Sequence, residues 1–179
     1  MKRDHAIRAA VFCALVALAV AVRLLSETPN FNAVTAAALF AGFFFRNRLT
    51  AVCVPLLAMS VSDVFLGGYA KPMMAAVYLS LMVPIAWRGV LRQRLSPLSV
   101  GSGAVCSSLS FYVLSNAAVW YAWYPHSWQG LAQCYTAALP FLANSITSDV
   151  LFSAGFFGLY VLAVQVRSQP LGAPAPQAG

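Results

Sequence analysis

The amino-acid sequence predicts an all-α integral membrane protein with six transmembrane helices, and three observations lead there. Of 179 residues, 61% are apolar and 8% are charged, against about 45–50% and about 25% in a soluble domain. Too few polar side chains remain to cover a water-facing surface. The apolar residues fall into runs close to the roughly 20 residues that cross a hydrocarbon core of about 30 Å as helix. The lysines and arginines then gather between alternate runs, as cations that set membrane topology do. A formal charge of +7 would suggest nucleic acid in a soluble protein, but cations scattered singly or in short clusters between apolar runs do not form a nucleic-acid surface.

The first run covers residues 7–25, follows Lys2 and Arg3, and closes at Ser26-Glu27-Thr28-Pro29. It resembles a signal peptide, but it lacks a small-residue cleavage site followed by a soluble domain; it reads as a retained first helix. The second run, 31–45, ends at Arg46-Asn47-Arg48, and the third, 49–66, at Gly67-Gly68-Tyr69-Ala70-Lys71-Pro72. A fourth, 73–87, meets Arg88, Arg92 and Arg94. After Ser96-Pro97 and Gly101-Ser102-Gly103, a fifth covers 104–122. Residues 131–166 are too many for one span at 1.5 Å per residue. Pro140 divides them into a short interfacial helix and a sixth span. Residues 1–167 form one transmembrane domain, and the Pro-, Ala- and Gly-rich tail 168–179 is expected to be disordered.

Orientation follows from the cations. With the N-terminus inside, one side carries Lys2, Arg3, Arg8, Arg46, Arg48, Arg88, Arg92, Arg94 and Arg167, and the other only Arg23 and Lys71. Nine against two places both termini in the cytoplasm. The loop 120–128, with its tryptophans and tyrosines, then faces outward at the interface belt. There is also an internal echo. Pro55-Leu-Leu-Ala-Met-Ser-Val-Ser-Asp63-Val resembles Pro140-Phe-Leu-Ala-Asn-Ser-Ile-Thr-Ser-Asp149-Val, one residue longer. It pairs the third helix with the sixth and suggests two three-helix halves, which an odd helix number would make inverted.

Ionisable residues within spans are costly and are usually functional or paired. Arg23 and Asp63, near the outer ends of the first and third helices, read as a structural pair. Asp149 lies deeper. On the sixth helix Ser145, Asp149 and Ser153 recur every four residues, with Asn144 and Ser148 beside them; on the fifth, Ser108, Tyr112, Asn116 and Trp120 do the same. Such stripes either line a cavity or bond packed helices together. The cavity reading places a substrate site in the outer half, between helices four and six and under the 120–128 loop. Its candidate residues are Tyr78, Asn116, Trp120, Asn144 and Asp149, a few polar groups among aromatic and apolar walls.

Catalysis is not expected. Paired aspartates can do acid–base chemistry, but neither Asp63 nor Asp149 lies in the Gly-x-Gly-Asp pattern of intramembrane aspartyl proteases, and no Ser–His pair is evident. His5 belongs to the N-terminal arm, and His126 reads as a solvated loop residue. Cys13, Cys53, Cys106 and Cys134 lie in separate segments without the paired spacing of a zinc or disulfide framework, so neither metal nor cofactor is expected.

Five stretches carry a resemblance: Pro29-Asn-Phe-Asn-Ala-Val-Thr-Ala-Ala-Ala-Leu-Phe-Ala-Gly42, Ser62-Asp63-Val-Phe-Leu-Gly67, Val77-Tyr-Leu-Ser80, Asn116-Ala-Ala-Val-Trp120 and Cys134-Tyr-Thr-Ala-Ala-Leu-Pro-Phe141. Together they resemble an uncharacterised bacterial family of transport proteins, similar to the S-components of energy-coupling-factor (ECF) vitamin transporters. The resemblance implies a six-helix protein of the bacterial inner membrane that binds a vitamin-like ligand near its outer face. It also implies docking on a coupling membrane subunit through an Ala-x-x-x-Ala pattern, which Ala6, Ala10 and Ala14 repeat as small residues suited to close packing. No Walker motif is present, so an ATP-driven step needs a partner. One alternative is a solitary cobalamin-type transporter, whose cobalt would take a soft or imidazole ligand from Cys134 or His126. The other is a structural or regulatory membrane protein with no ligand.

Overall fold

The computed structural model describes residues 2–68 and 70–168, and all their regular structure is helical. The expected tail lies outside the described residues, apart from its first residue. Helix α1, Lys2–Leu25, carries Asp4 in its first turn and Arg23 in its last, each at the end of the helix dipole that favours its charge. At 24 residues it is about 36 Å long, several residues longer than its apolar run. Helix α2, Val34–Phe44, has only 11 residues and so reaches about 16 Å. Residues 34–42 are all buried, as expected for a helix that is apolar on every side.

Helix α3, Arg48–Leu66, begins where the Asn47 side chain accepts from the Leu49 N–H at 2.8 Å. It ends at Gly67, whose φ of 77° is open to glycine at no steric cost. The fourth apolar run forms three pieces: α4 (Lys71–Ser80), α5 (Val83–Ala86) and α6 (Arg88–Gln93). Pro84 accounts for the first break. It has no N–H to give, and its ring would clash with the carbonyl of Ser80 four residues earlier, which is where α4 stops.

Helix α7, Pro97–Trp123, starts seven residues before its apolar run. Ser96 and Ser99 form a reciprocal capping box, and proline is favoured in a first helical turn; Ser96-Pro97 is thus a helix start rather than a loop. Ser127 caps α8, Trp128–Ala137, by accepting from the Gly130 N–H at 3.1 Å. Pro140 lies in the first turn of α9, Leu139–Ser168, where a missing N–H costs nothing. The short helix and the long one therefore separate where that proline predicts.

Among the described residues, five units are long and apolar enough to cross a membrane: α1, α3, α4–α6 taken together, α7 and α9. Helix α2 is too short by that measure, so the second of the six expected spans is only half-length. It is nonetheless the centre of the fold, packing on α1, α3, α5, α6, α7 and α9. It runs alongside α9 in the same direction: Phe31 meets Phe152 at 6.0 Å, Phe40 meets Phe157 at 5.1 Å and Phe43 meets Tyr160 at 5.0 Å. The two groups of three apolar runs differ in packing. Helix α1 packs on both α2 and α3, whereas α4 packs on α7, and α7 on α9.

Helix α5 approaches α2 closely at Gly42. A Cβ there would stand 3.0 Å from the Ile85 Cα and 3.2 Å from its carbonyl oxygen, both backbone atoms that cannot swing away. Gly42→Ala is expected to destabilise by about 1–3 kcal/mol through overpacking. Gly155→Ala on α9, where nothing lies within 4 Å of the added carbon, should be neutral or gain up to about 1 kcal/mol from helix propensity. Denaturant unfolding of the two variants checks both; equal stabilities would mean that α2 and α5 are not held at this distance.

Candidate functional site

A cavity of about 260 Å3 lies above the N-terminus of α2, between α1, α3, α4, α7 and α9. Its polar wall is Arg23 from α1, Asn30 and Asn32 from the following loop, Thr35 from α2, and Ser145 and Asp149 from α9. Met59, Val77 and Phe111 are among the apolar residues that complete it. Asn30 takes φ 60°, a left-handed conformation that asparagine tolerates better than most residues. The side chains of Asn30, Thr35 and Ser145 make no hydrogen bond among the described residues.

Arg23 is anchored from behind. Its Nη1 donates to Ser62 Oγ and, at 2.6 Å, to Asp63 Oδ1. Tyr78 Oη donates to the other carboxylate oxygen of Asp63 at 2.7 Å. This joins α1, α3 and α4 at one end of the bundle, as the sequence reading of Arg23 with Asp63 expects. It is the one ion pair among the described residues. Because only Nη1 is used there, the Nε and Nη2 donors of Arg23 remain for the cavity it lines.

Asp149 is held differently. It is 2% exposed, and no cation pairs with it among the described residues. Ser108 Oγ donates to its Oδ2 at 2.6 Å, and the backbone N–H of Ala36 donates to the same carboxylate. Ala36 lies in the first turn of α2, whose leading N–H groups have no partner within the helix. Asp149 thus caps α2 from a neighbouring helix and sits at its positive end. Asn32 Oδ1 takes the Val34 N–H at 3.0 Å in the same turn. At the far end of α2, Arg92 donates from Nε to the Phe43 carbonyl at 2.8 Å and from Nη2 to the Phe45 carbonyl at 2.6 Å, and Arg88 donates to the Arg46 carbonyl at 2.9 Å.

Of the five residues that the sequence offers as a substrate site, Asp149 lines the cavity. Tyr78 stands behind its wall on Asp63. Asn144 donates to the Pro29 carbonyl at 2.9 Å and so fastens the loop that carries Asn30 and Asn32. Asn116 and Trp120 are elsewhere. Asn116 donates to the Tyr112 carbonyl of its own helix at 2.8 Å, and Trp120 Nε1 to the Pro125 carbonyl at 3.0 Å. The C-terminal half of α7 is instead tied to α8, where Tyr112 Oη donates to the Tyr135 carbonyl at 2.6 Å and Tyr135 Oη to that of Val113 at 2.8 Å. The sequence reading does not single out Asn30, Asn32 and Thr35. Their signal is polarity at the mouth of an otherwise wholly apolar helix.

No group of three or more His, Cys, Asp or Glu among the described residues could hold a metal ion. Residues 3–172 match the family described as "Family of unknown function (DUF6580)", and the chain belongs to it. No curated protein and no solved structure matches the chain.

The Arg23–Asp63–Tyr78 group has a measurable hierarchy. Arg23→Gln leaves Asp63 buried without its cation and is expected to cost about 2–3 kcal/mol, somewhat below a fully buried pair because Arg23 is partly exposed. Tyr78→Phe removes one hydrogen bond and should cost about 1 kcal/mol. A double-mutant cycle should return a coupling of about 0.5–3 kcal/mol. Strictly additive losses would mean that the two side chains do not share Asp63.

Proposed function

We propose that this family member spans a membrane and binds a small vitamin-like metabolite in the Arg23–Asp149 cavity, as the substrate-binding component of an uptake system. One observation carries the reading: a polar-walled cavity inside an apolar helical body, with a guanidinium and a carboxylate on its wall. Ionisable groups at such depth are expensive, and small-molecule sites combine apolar walls with a few placed polar groups. At about 30 Å3 per water the volume equals roughly nine waters, so the ligand is compact. It presents an acceptor to Arg23 and a donor to Asp149. A corrinoid is far larger, and Cys134 and His126, the axial-ligand candidates for cobalamin, are otherwise engaged: Cys134 is buried against the Asn116 carbonyl and His126 stacks on Tyr121 at 5.1 Å. Access is from the outer side, past loop 26–33, which Asn144 fastens.

The membrane reading rests on five long apolar units and the cation asymmetry. Arg23 near the end of α1 meets Asp63 near the end of α3, so α1 and α3 run the same way and α2 with its flanking loops must return the chain. That supports six crossings, both termini cytoplasmic, in a bacterial inner membrane. Ala6, Ala10 and Ala14 are exposed on α1, which suits a coupling membrane subunit supplying the energy; no catalytic step is proposed. A second reading has its own support. Asp63 and Asp149 both have protein donors, as helix-joining residues with no ligand would.

Two measurements separate these readings. Native mass spectrometry of protein extracted gently from its host membrane should detect a retained small molecule. Thr35→Val with Ser145→Ala removes two wall hydroxyls that bond nothing in the protein; at about 1 kcal/mol each this weakens retention roughly thirtyfold with little change in melting temperature. Retention equal to wild type would hand the polar stripe to helix packing. For topology, a cysteine placed in 124–128 of a variant lacking the native cysteines should react with an impermeant reagent from outside, and one at Asn47 only after permeabilisation. The reverse pattern would overturn the orientation.

A further inference from the structure

A second concavity, of about 470 Å3, opens at the other end of the bundle, between α1 and the α2–α3 turn. His5 and Arg8 reach it from α1, and Arg46 and Asn47 from the turn. Phe12 and Phe45, in edge contact at 6.1 Å, give it an apolar floor. Neither arginine has a carboxylate partner among the described residues, and Asp4, the acidic residue at this end, forms no ion pair. The guanidiniums of Arg8 and Arg46 likewise make no hydrogen bond within the described chain.

The positive charge extends beyond the concavity. Arg46 and Arg88 lie close enough to Arg92 to repel its charge, and the Arg88 Nη1 atom is buried with no acceptor among the described residues. The negative end of α2 answers Arg92 in part, but no carboxylate among the described residues answers Arg8 and Arg46. The two guanidiniums are exposed beside an aromatic floor, which suits an occupant with an anionic head and an apolar body. Inorganic phosphate would satisfy the cations and leave Phe12 and Phe45 unused.

We propose that this concavity binds the headgroup of an anionic phospholipid, with its phosphate on Arg8 and Arg46. Guanidinium forks match phosphate oxygens, and basic pockets between helices on the cytoplasmic side suit such headgroups. The glycerol and first acyl carbons lie on Phe12 and Phe45, and the chain follows the exposed side of α1. The inference rests on the membrane reading above but not on the Arg23–Asp149 ligand.

The test is native mass spectrometry of the full chain in detergent with equal amounts of phosphatidylglycerol and phosphatidylcholine. Wild type should retain phosphatidylglycerol roughly tenfold or more over phosphatidylcholine, the scale for two arginines beside an anionic headgroup. The Arg8→Gln/Arg46→Gln variant should lose that preference. Lys2→Gln/Arg3→Gln removes the same charge from residues outside the concavity and should keep it. If the first double variant melts lower than wild type, Arg8→Gln and Arg46→Gln alone, each expected to lose part of the preference, replace it. No preference in wild type, equal loss in both double variants, or displacement of the lipid by inorganic phosphate at matched concentration would each overturn the site. Small-molecule retention by the Arg23–Asp149 cavity should be the same in all these variants, so the two readings fail separately.

Discussion

The structure depends on one constraint: a short helix buried at the centre of the bundle must have both of its ends answered. Helix α2 is only 11 residues long, so a large share of its backbone groups lies in the first and last turns, where no partner exists within the helix. An unsatisfied buried polar group costs about 1–3 kcal/mol, so these ends need partners. Asp149 and Asn32 accept at the start, and Arg92 and Arg88 donate at the finish. The signs match the dipole, carboxylate at the positive end and guanidinium at the negative end. Asp149 on α9 and Arg92 on α6 thus answer opposite ends of the helix lying between them rather than each other. This fixes how far along α2 each neighbour sits.

The cavity follows from the same constraint. A full-length second helix would have filled the space between α1, α3, α4, α7 and α9 up to the end where Arg23 meets Asp63. Instead α2 begins lower, at Val34, and loop 26–33 reaches it through Asn30 and Asn32. The space left over is bounded by the capping groups themselves, which is why Asp149 and Asn32 appear both as caps of α2 and in the wall. Packing and binding are therefore not alternatives at Asp149. A carboxyl group has more hydrogen-bonding capacity than two partners use, and Ser108 and Ala36 are the two it has. Thr35 and Ser145 are the cleaner probes, since they line the same wall and hold nothing else together.

Much of this was legible in the sequence, and the remainder was not for identifiable reasons. The apolar runs, the division at Pro140 and the pairing of Arg23 with Asp63 followed from composition, proline chemistry and depth. The stripe of Ser145, Asp149 and Ser153 was visible as a spacing of four, and Ser145, Asp149 and Ser153 are all buried. Spacing places residues on one face of a helix but says nothing of which neighbour that face meets. Asn116 and Trp120 shared a stripe with Ser108, yet Ser108 meets α9 while the other two bond within α7 and its following turn. The shortness of α2 was hidden because Phe45 and Phe31 extend the apolar run beyond the helix. The early start of α7 was signalled by Ser96 and Pro97, but the glycines at 101 and 103 mimic a loop. Gly103 is inside the helix, packed beside Leu39 and Trp87, where a larger side chain would crowd α2.

The two ends of the bundle differ in how their charge is met. At the end with Arg23 the single cation of the site has Asp63 at 2.6 Å, and the carboxylate is shared with Tyr78, so the charge is closed within the protein. At the opposite end Arg46, Arg88 and Arg92 crowd one turn, and only backbone carbonyls answer two of them. A carbonyl carries a partial charge, so it orients a guanidinium without neutralising it. Self-repulsion of this kind opposes compaction, and the fold tolerates it because Arg92 is held on the Phe43 and Phe45 carbonyls at the end of α2 and Arg88 on the Arg46 carbonyl of the turn that follows. The requirement to cap α2 therefore concentrates positive potential at its C-terminal end. Arg8 and Arg46, which take no part in that capping, carry the excess outward to the rim of the bundle, where a counter-charge from outside the chain can reach it.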